Sequence, residues 1–111
     1  MARINYVELP AANIAAAKSF YSTVFGWSLT DFGPTYAATM TGDVDLGLQG
    51  DARDATKNPL PVIDVEDLEA ALATVTKAGG RIIKPIFSFP GGRRFHFLDP
   101  NGNEMAVVKM D

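Results

Sequence analysis

Hydrophobic positions recur along this chain in two rhythms. Over the stretch 14–25, Ile14, Ala17, Tyr21, Val24 and Phe25 fall near one face of a helix. Leu68, Ala71, Leu72, Val75 and Ala78 do the same further on. Asn13 and Asp67 stand just before these runs, and their side-chain oxygens suit the orphan N–H groups of a first helical turn. Gly26 and Gly79-Gly80 follow, and glycine readily takes the left-handed conformation that ends a helix. Shorter segments with strand character flank each helix. Ile4–Leu9 precedes the first, and Trp27–Asp31, Tyr36–Thr39 and Val44–Leu48 follow it. Val62–Val65 precedes the second, and Arg81–Lys84, Arg94–Leu98 and Met105–Lys109 follow. Gly33-Pro34, Gly42-Asp43, Pro90-Gly91-Gly92 and Asp99-Pro100-Asn101-Gly102 supply the turns.

The pattern repeats. Asn13, Tyr21, Gly26 and Leu29 reappear 54 residues later as Asp67, Val75, Gly80 and Ile83. The chain therefore reads as an α+β fold of two βαβββ modules. Module one spans 1–49, a polar linker 50–59, and module two 60–111, all within one domain over 1–111. One helix per four strands covers one face of each small sheet. The other face must curve around a ligand, meet another chain, or be filled by its own side chains.

Composition narrows the function classes. With 47% hydrophobic residues, 111 residues can build a core without staples. The absence of cysteine excludes disulfides, thiolate metal sites and a catalytic thiol, and is compatible with a cytoplasmic home. A net charge of −3 and the lack of a basic stripe argue against nucleic acid. No run resembles a signal peptide or a membrane span. The expectation is a cytoplasmic protein with a small-molecule partner.

Three segments carry a family resemblance. The first runs through Tyr6-Val7-Glu8-Leu9, Asn13-Ile14, Phe20-Tyr21 and Phe25-Gly26-Trp27. The second is Val65-Glu66-Asp67-Leu68-Glu69-Ala70-Ala71 leading to Ala78-Gly79-Gly80. The third is Arg94-Phe95-His96-Phe97-Leu98-Asp99-Pro100-Asn101-Gly102-Asn103-Glu104. In order and spacing they resemble the vicinal-oxygen-chelate superfamily, which includes glyoxalases, bleomycin-resistance proteins and extradiol dioxygenases. The resemblance implies a cupped, mostly antiparallel sheet with helices on its outer face. In the family's metal enzymes a divalent ion sits in the cup on His, Glu or Gln ligands. Other members bind small molecules there without metal.

The ligand positions implied by the resemblance fall on Tyr6, about Gly47, about Leu60, and Ala106. None offers the donor a divalent ion needs, so no metal and no other cofactor is expected. A different set, Glu8, His96 and Glu104, is the alternative, opposed by the cationic Arg94 beside it. Strand alternation puts Arg94 and His96 on the uncovered face and Phe95 and Phe97 in the core. His96 with Glu8 or Glu104 could form an acid–base pair, or be a hydrogen-bonded wall histidine. Arg94 could bind an anion or form an internal salt bridge to Glu8 or Glu104, while Arg93 reads as a solvated or salt-bridged side chain. Tyr6, Trp27, Tyr36, Phe87 and Phe89 could wall a ligand or pack in a core or interface. Gly91-Gly92 lacks the spacing of a phosphate loop, and Asp99–Glu104 that of a calcium loop.

The expected function is binding of a small, partly apolar molecule in a metal-free cup, with Tyr6, Glu8, Arg94, His96 and Glu104 lining its polar side. The rival is an enzyme: a metal-dependent lyase, isomerase or dioxygenase, or an acid–base catalyst using His96 and Glu8. A third reading is self-association through the open faces, and a homodimer is expected in any case.

Overall fold

The computed structural model describes residues 1–111. Eight strands and two helices follow one another in the expected βαβββ order, repeated once. The strands are β1 (Arg3–Pro10), β2 (Thr30–Asp31), β3 (Tyr36–Ala38), β4 (Asp45–Gln49), β5 (Leu60–Asp64), β6 (Arg81–Phe89), β7 (Gly92–Leu98) and β8 (Glu104–Met110). The helices are α1 (Ile14–Phe25) and α2 (Leu68–Lys77). The chain forms two compact units. One is Tyr6–Leu60; the other is Pro61–Asp111 together with Met1–Asn5.

The helix boundaries follow from the caps. Asn13 Oδ1 accepts from the Ala16 N–H at 3.0 Å, and Asp67 Oδ1 accepts from the Ala70 N–H at 3.0 Å. Gly26 ends α1 at φ 69°, and Gly79 turns the chain after α2 at φ 95°. Gly80 has a different task. A Cβ there would run into Val75, so glycine lets the chain double back against the helix.

In the first unit the strand order is β2-β3-β4-β1, with β1 and β4 parallel and the other pairs antiparallel. Leu48 and Ala37 are paired across β4 and β3 and are buried. Helix α1 packs on these two strands but buries none of its residues fully. Val24 and Phe25, expected on its core face, are 52% and 58% exposed. The second unit repeats the order as β5-β8-β7-β6, with β5 and β8 parallel. Its core joins Leu68 of α2 to Phe95 and Val107, with Phe97 and Ile82 packed beside them. Phe95 and Phe97 therefore face α2, as alternation predicts.

Most strand ends move by one or two residues from the sequence reading, and three differences are larger. Residues 27–29 are irregular, so β2 begins at Thr30 rather than Trp27. The stretch 50–59 is no loose linker. The Gly50 N–H donates to the Thr35 carbonyl at 2.7 Å, and Asp51 accepts from Arg53 backbone and side chain. Strand β6 runs on through Pro85 to Phe89, beyond the expected end at Lys84. Proline removes one ladder donor, and β6 absorbs this as an outer strand with register shifts between Ile82 and Lys84 and between Lys84 and Phe87.

Candidate functional site

Each unit carries a cluster of hydrogen-bonded polar side chains on its sheet. In the first unit the register pairs Tyr6 with Asp45, Glu8 with Gly47, and Tyr36 with Gln49. Side chains two apart share a face, so Tyr6, Glu8 and Tyr36 meet on the same side. The Tyr36 hydroxyl donates to Glu8 Oε1 at 3.0 Å and lies 2.6 Å from the Tyr6 hydroxyl. Since the Tyr36 proton points at the carboxylate, Tyr6 is the donor to Tyr36. Glu8 is 2% exposed. Burial, reinforced by the negative charge of Glu8, pushes the Tyr36 phenol far up and keeps it protonated. Gly47 makes the arrangement possible, because a Cβ there would collide with both hydroxyls. A glycine inside a strand signals such a close approach, and that signal was the one available in the sequence for Tyr36's role.

In the second unit His96 is completely buried. Its Nδ1 lies 2.7 Å from Glu104 Oε2, and its Nε2 is buried with no hydrogen-bond partner. The register places Lys84 and Ala106 on either side of His96, and Phe87 and Val108 on either side of Arg94. The Phe87 ring centroid is 5.8 Å from the imidazole. The Arg94 guanidinium sits 5.4 Å from the centroid of Phe87 and 5.5 Å from that of Phe89. Burial holds His96 below its ordinary pKa; Glu104 opposes the shift, and the positive charges of Arg94 and Lys84 add to it. A neutral imidazole beside a carboxylate keeps its proton on Nδ1, which leaves the buried Nε2 as an acceptor with a free lone pair.

The structure thus joins His96 to Glu104, one of the two carboxylates open to it in the sequence. Glu8 is engaged by Tyr36 instead. Arg94 lies with Phe87 and Phe89 of β6. Arg93 is partly exposed and salt-bridged as read, though to neither Glu8 nor Glu104. Its guanidinium donates to both carboxylate oxygens of Glu69 on α2, at 2.6 and 3.2 Å.

The positions that would hold the family's divalent ion do not fit one. The Tyr6 phenol is committed to Tyr36. Gly47 has no side chain, and Leu60 and Ala106 are apolar and 0% exposed. Neither unit gathers three His, Asp or Glu side chains into a group that could hold a metal ion. Four-coordinate or octahedral ions need such a set.

Two βαβββ units, each with one helix and one polar sheet face, define a glyoxalase-type fold. The chain belongs to the Glyoxalase/Bleomycin resistance protein/Dioxygenase superfamily, whose sequence model matches residues 3–107. It is 30% identical to CFP32 of Mycobacterium tuberculosis (strain CDC 1551 / Oshkosh), covering 93% of this chain and 44% of that protein. It is 32% identical to a glyoxylase-like domain-containing protein of Didymella fabae, covering 95% and 91%. It is 28% identical to the anthracycline biosynthesis protein DnrV of Streptomyces peucetius, covering 96% and 41%. The chain spans less than half the length of CFP32 and DnrV. Among solved structures the fold matches methylmalonyl-CoA epimerase from Mycobacterium tuberculosis with a TM-score of 0.75 at 16% identity, over 97% of this chain and 87% of that one. It matches the Mn(II)-bound glyoxalase from Novosphingobium aromaticivorans with a TM-score of 0.70 at 20% identity, over 98% and 40%.

Proposed function

We propose that this domain binds a small, partly apolar molecule on the sheet face that α2 leaves uncovered, through side chains rather than a chelated ion. The observation that carries this reading is the buried Nε2 of His96, which has no hydrogen-bond partner within the chain. A buried polar atom without a partner costs about 1–3 kcal/mol, and a ligand N–H or O–H would recover it. Phe87 and Phe89 offer apolar area beside it, and Arg94 and Lys84 bias the site toward a ligand with an acidic or anionic group. A homodimer is part of the proposal, because α1 leaves Phe20, Val24 and Phe25 more than half exposed.

Native mass spectrometry of protein purified from cells tests the binding claim and reports oligomer mass in the same spectrum. The expected result is a retained organic molecule that disappears in His96→Ala. A stoichiometric divalent ion that survives dialysis, or a retained molecule indifferent to His96→Ala, would overturn the reading.

A second reading has its own support. An oriented, neutral imidazole is a general base, and Glu104 holds His96 in the orientation such a base needs. If the domain is a catalyst, turnover should collapse in His96→Gln. Glu104→Gln should move the pH profile rather than abolish binding. Unchanged turnover in His96→Gln would remove this reading.

A further inference from the structure

The first unit holds a second concavity beside its β3–β4 loop, whose lining shares no residue with the Tyr6–Tyr36–Glu8 cluster. Val7 and Leu46 are register partners and lie on the alternate face from Glu8 and Gly47. They form part of the lining of an open cavity of about 660 Å³. Trp27 lines it from the irregular segment after α1, and Met40 and Val44 line it from the β3–β4 loop. The volume falls within the roughly 300–1,000 Å³ of small-molecule sites. Trp27, Met40 and Val44 are 41%, 66% and 52% exposed, so a flat apolar guest would cover area that now faces water.

The charge of the wall is one-sided. Asp45 is the only ionisable residue in the lining of the cavity; it holds no Lys, Arg or His. The carboxylate is held in place by the Thr39 hydroxyl at 2.7 Å and by the N–H groups of Thr41 and Gly42 at 2.8 and 3.0 Å. Those hydrogen bonds keep Asp45 below the ordinary carboxylate range, so its negative charge is present across the neutral region. The β3–β4 loop thereby carries a fixed anion next to exposed apolar walls.

From this cavity we infer that the first unit binds a planar, apolar molecule bearing a positive charge, its ring system against Trp27 and its cation toward Asp45. The indole is the best cation–π partner among the side chains, and the carboxylate adds the complementary charge. This site shares no residue with the His96 face, and the two proposals fail independently.

Trp27 is the sole tryptophan, so its fluorescence reports on this cavity alone. The probe is the cationic planar dye DAPI, with the anionic planar dye ANS as the matched contrast. DAPI should quench Trp27 saturably at one dye per chain, and ANS should bind far more weakly. Met40→Lys places a cation on a solvent-exposed part of the wall without touching the core. It should weaken DAPI roughly tenfold and favour ANS. Asp45→Asn should weaken DAPI several-fold, and circular dichroism checks that the β3–β4 loop has not unfolded the unit. Non-saturable quenching, equal affinity for ANS, or DAPI binding unchanged in Met40→Lys would overturn the inference. DAPI quenching that is lost as protein concentration rises would overturn it too, since a second copy would then occupy the cavity.

Discussion

Two single residues decide most of the polar chemistry. Gly47 is needed because two phenol hydroxyls occupy the space a Cβ would fill. Gly47→Ala should therefore displace Tyr6 and Tyr36 and separate Tyr36 from Glu8. Overpacking of this kind typically costs about 1–3 kcal/mol, visible in urea denaturation and as a change in the tyrosine near-ultraviolet spectrum. An unchanged spectrum would contradict the hydroxyl chain. His96 governs the acid side. Its folded pKa lies below its unfolded value near 6.5, so the unfolded chain binds the proton more readily. Stability is then fully present above the unfolded value and falls as the pH drops toward the folded one. Carboxylates such as Asp45, Asp51 and Asp99 are depressed in the fold, and their contribution disappears only at lower pH, below roughly 4. A urea midpoint followed against pH should lose stability in two windows, and His96→Gln should remove the upper one. The role of His96 was half legible, because alternation set its face while the choice of Glu104 over Glu8 depended on register. Tyr36 was legible only as an aromatic, since its partners lie 28 and 30 residues away.

At the level of elements, local signals carried most of the reading. Asn13 and Asp67 announced both helices, and the structure gives each the same bond to the N–H three residues on. Asn13→Ala and Asp67→Ala should each cost about 1 kcal/mol, measured by chemical denaturation. A difference of several kcal/mol between them would mean that the caps do more than satisfy the first turn. Strand ends were less readable. Pro85 looks like a terminator in isolation, yet an outer strand has no ladder partner on one side and can carry it. Val24 and Phe25 were placed on a core face by helical periodicity. Periodicity gives the direction of a stripe, whereas burial depends on what the tertiary fold brings against it.

For the molecule as a whole, the repeat was the most informative signal. The offset between matching caps and glycines implied two copies of one supersecondary unit, and the strand orders β2-β3-β4-β1 and β5-β8-β7-β6 are the same path traced twice. The copies share a scaffold but not their chemistry. One presents phenols and a carboxylate, the other an imidazole, a carboxylate and an arginine. Membership of the superfamily fixes the scaffold, and these separate residue sets hold whatever is particular to this chain.

The outermost strands of that path have a further consequence. A sheet rim with free backbone groups recruits other chains, above all at the high local concentrations of synthesis and refolding. Here β2, an outer strand of the first unit, is only two residues long, and β6, an outer strand of the second, is broken in register around Pro85. Neither offers a straight template for a foreign strand. Pro85→Val would restore a donor and tempt the rim to straighten. The variant should scatter light and bind thioflavin T at concentrations where the parent stays clear, so the cost of a regular edge would appear as lost colloidal stability rather than lost folding.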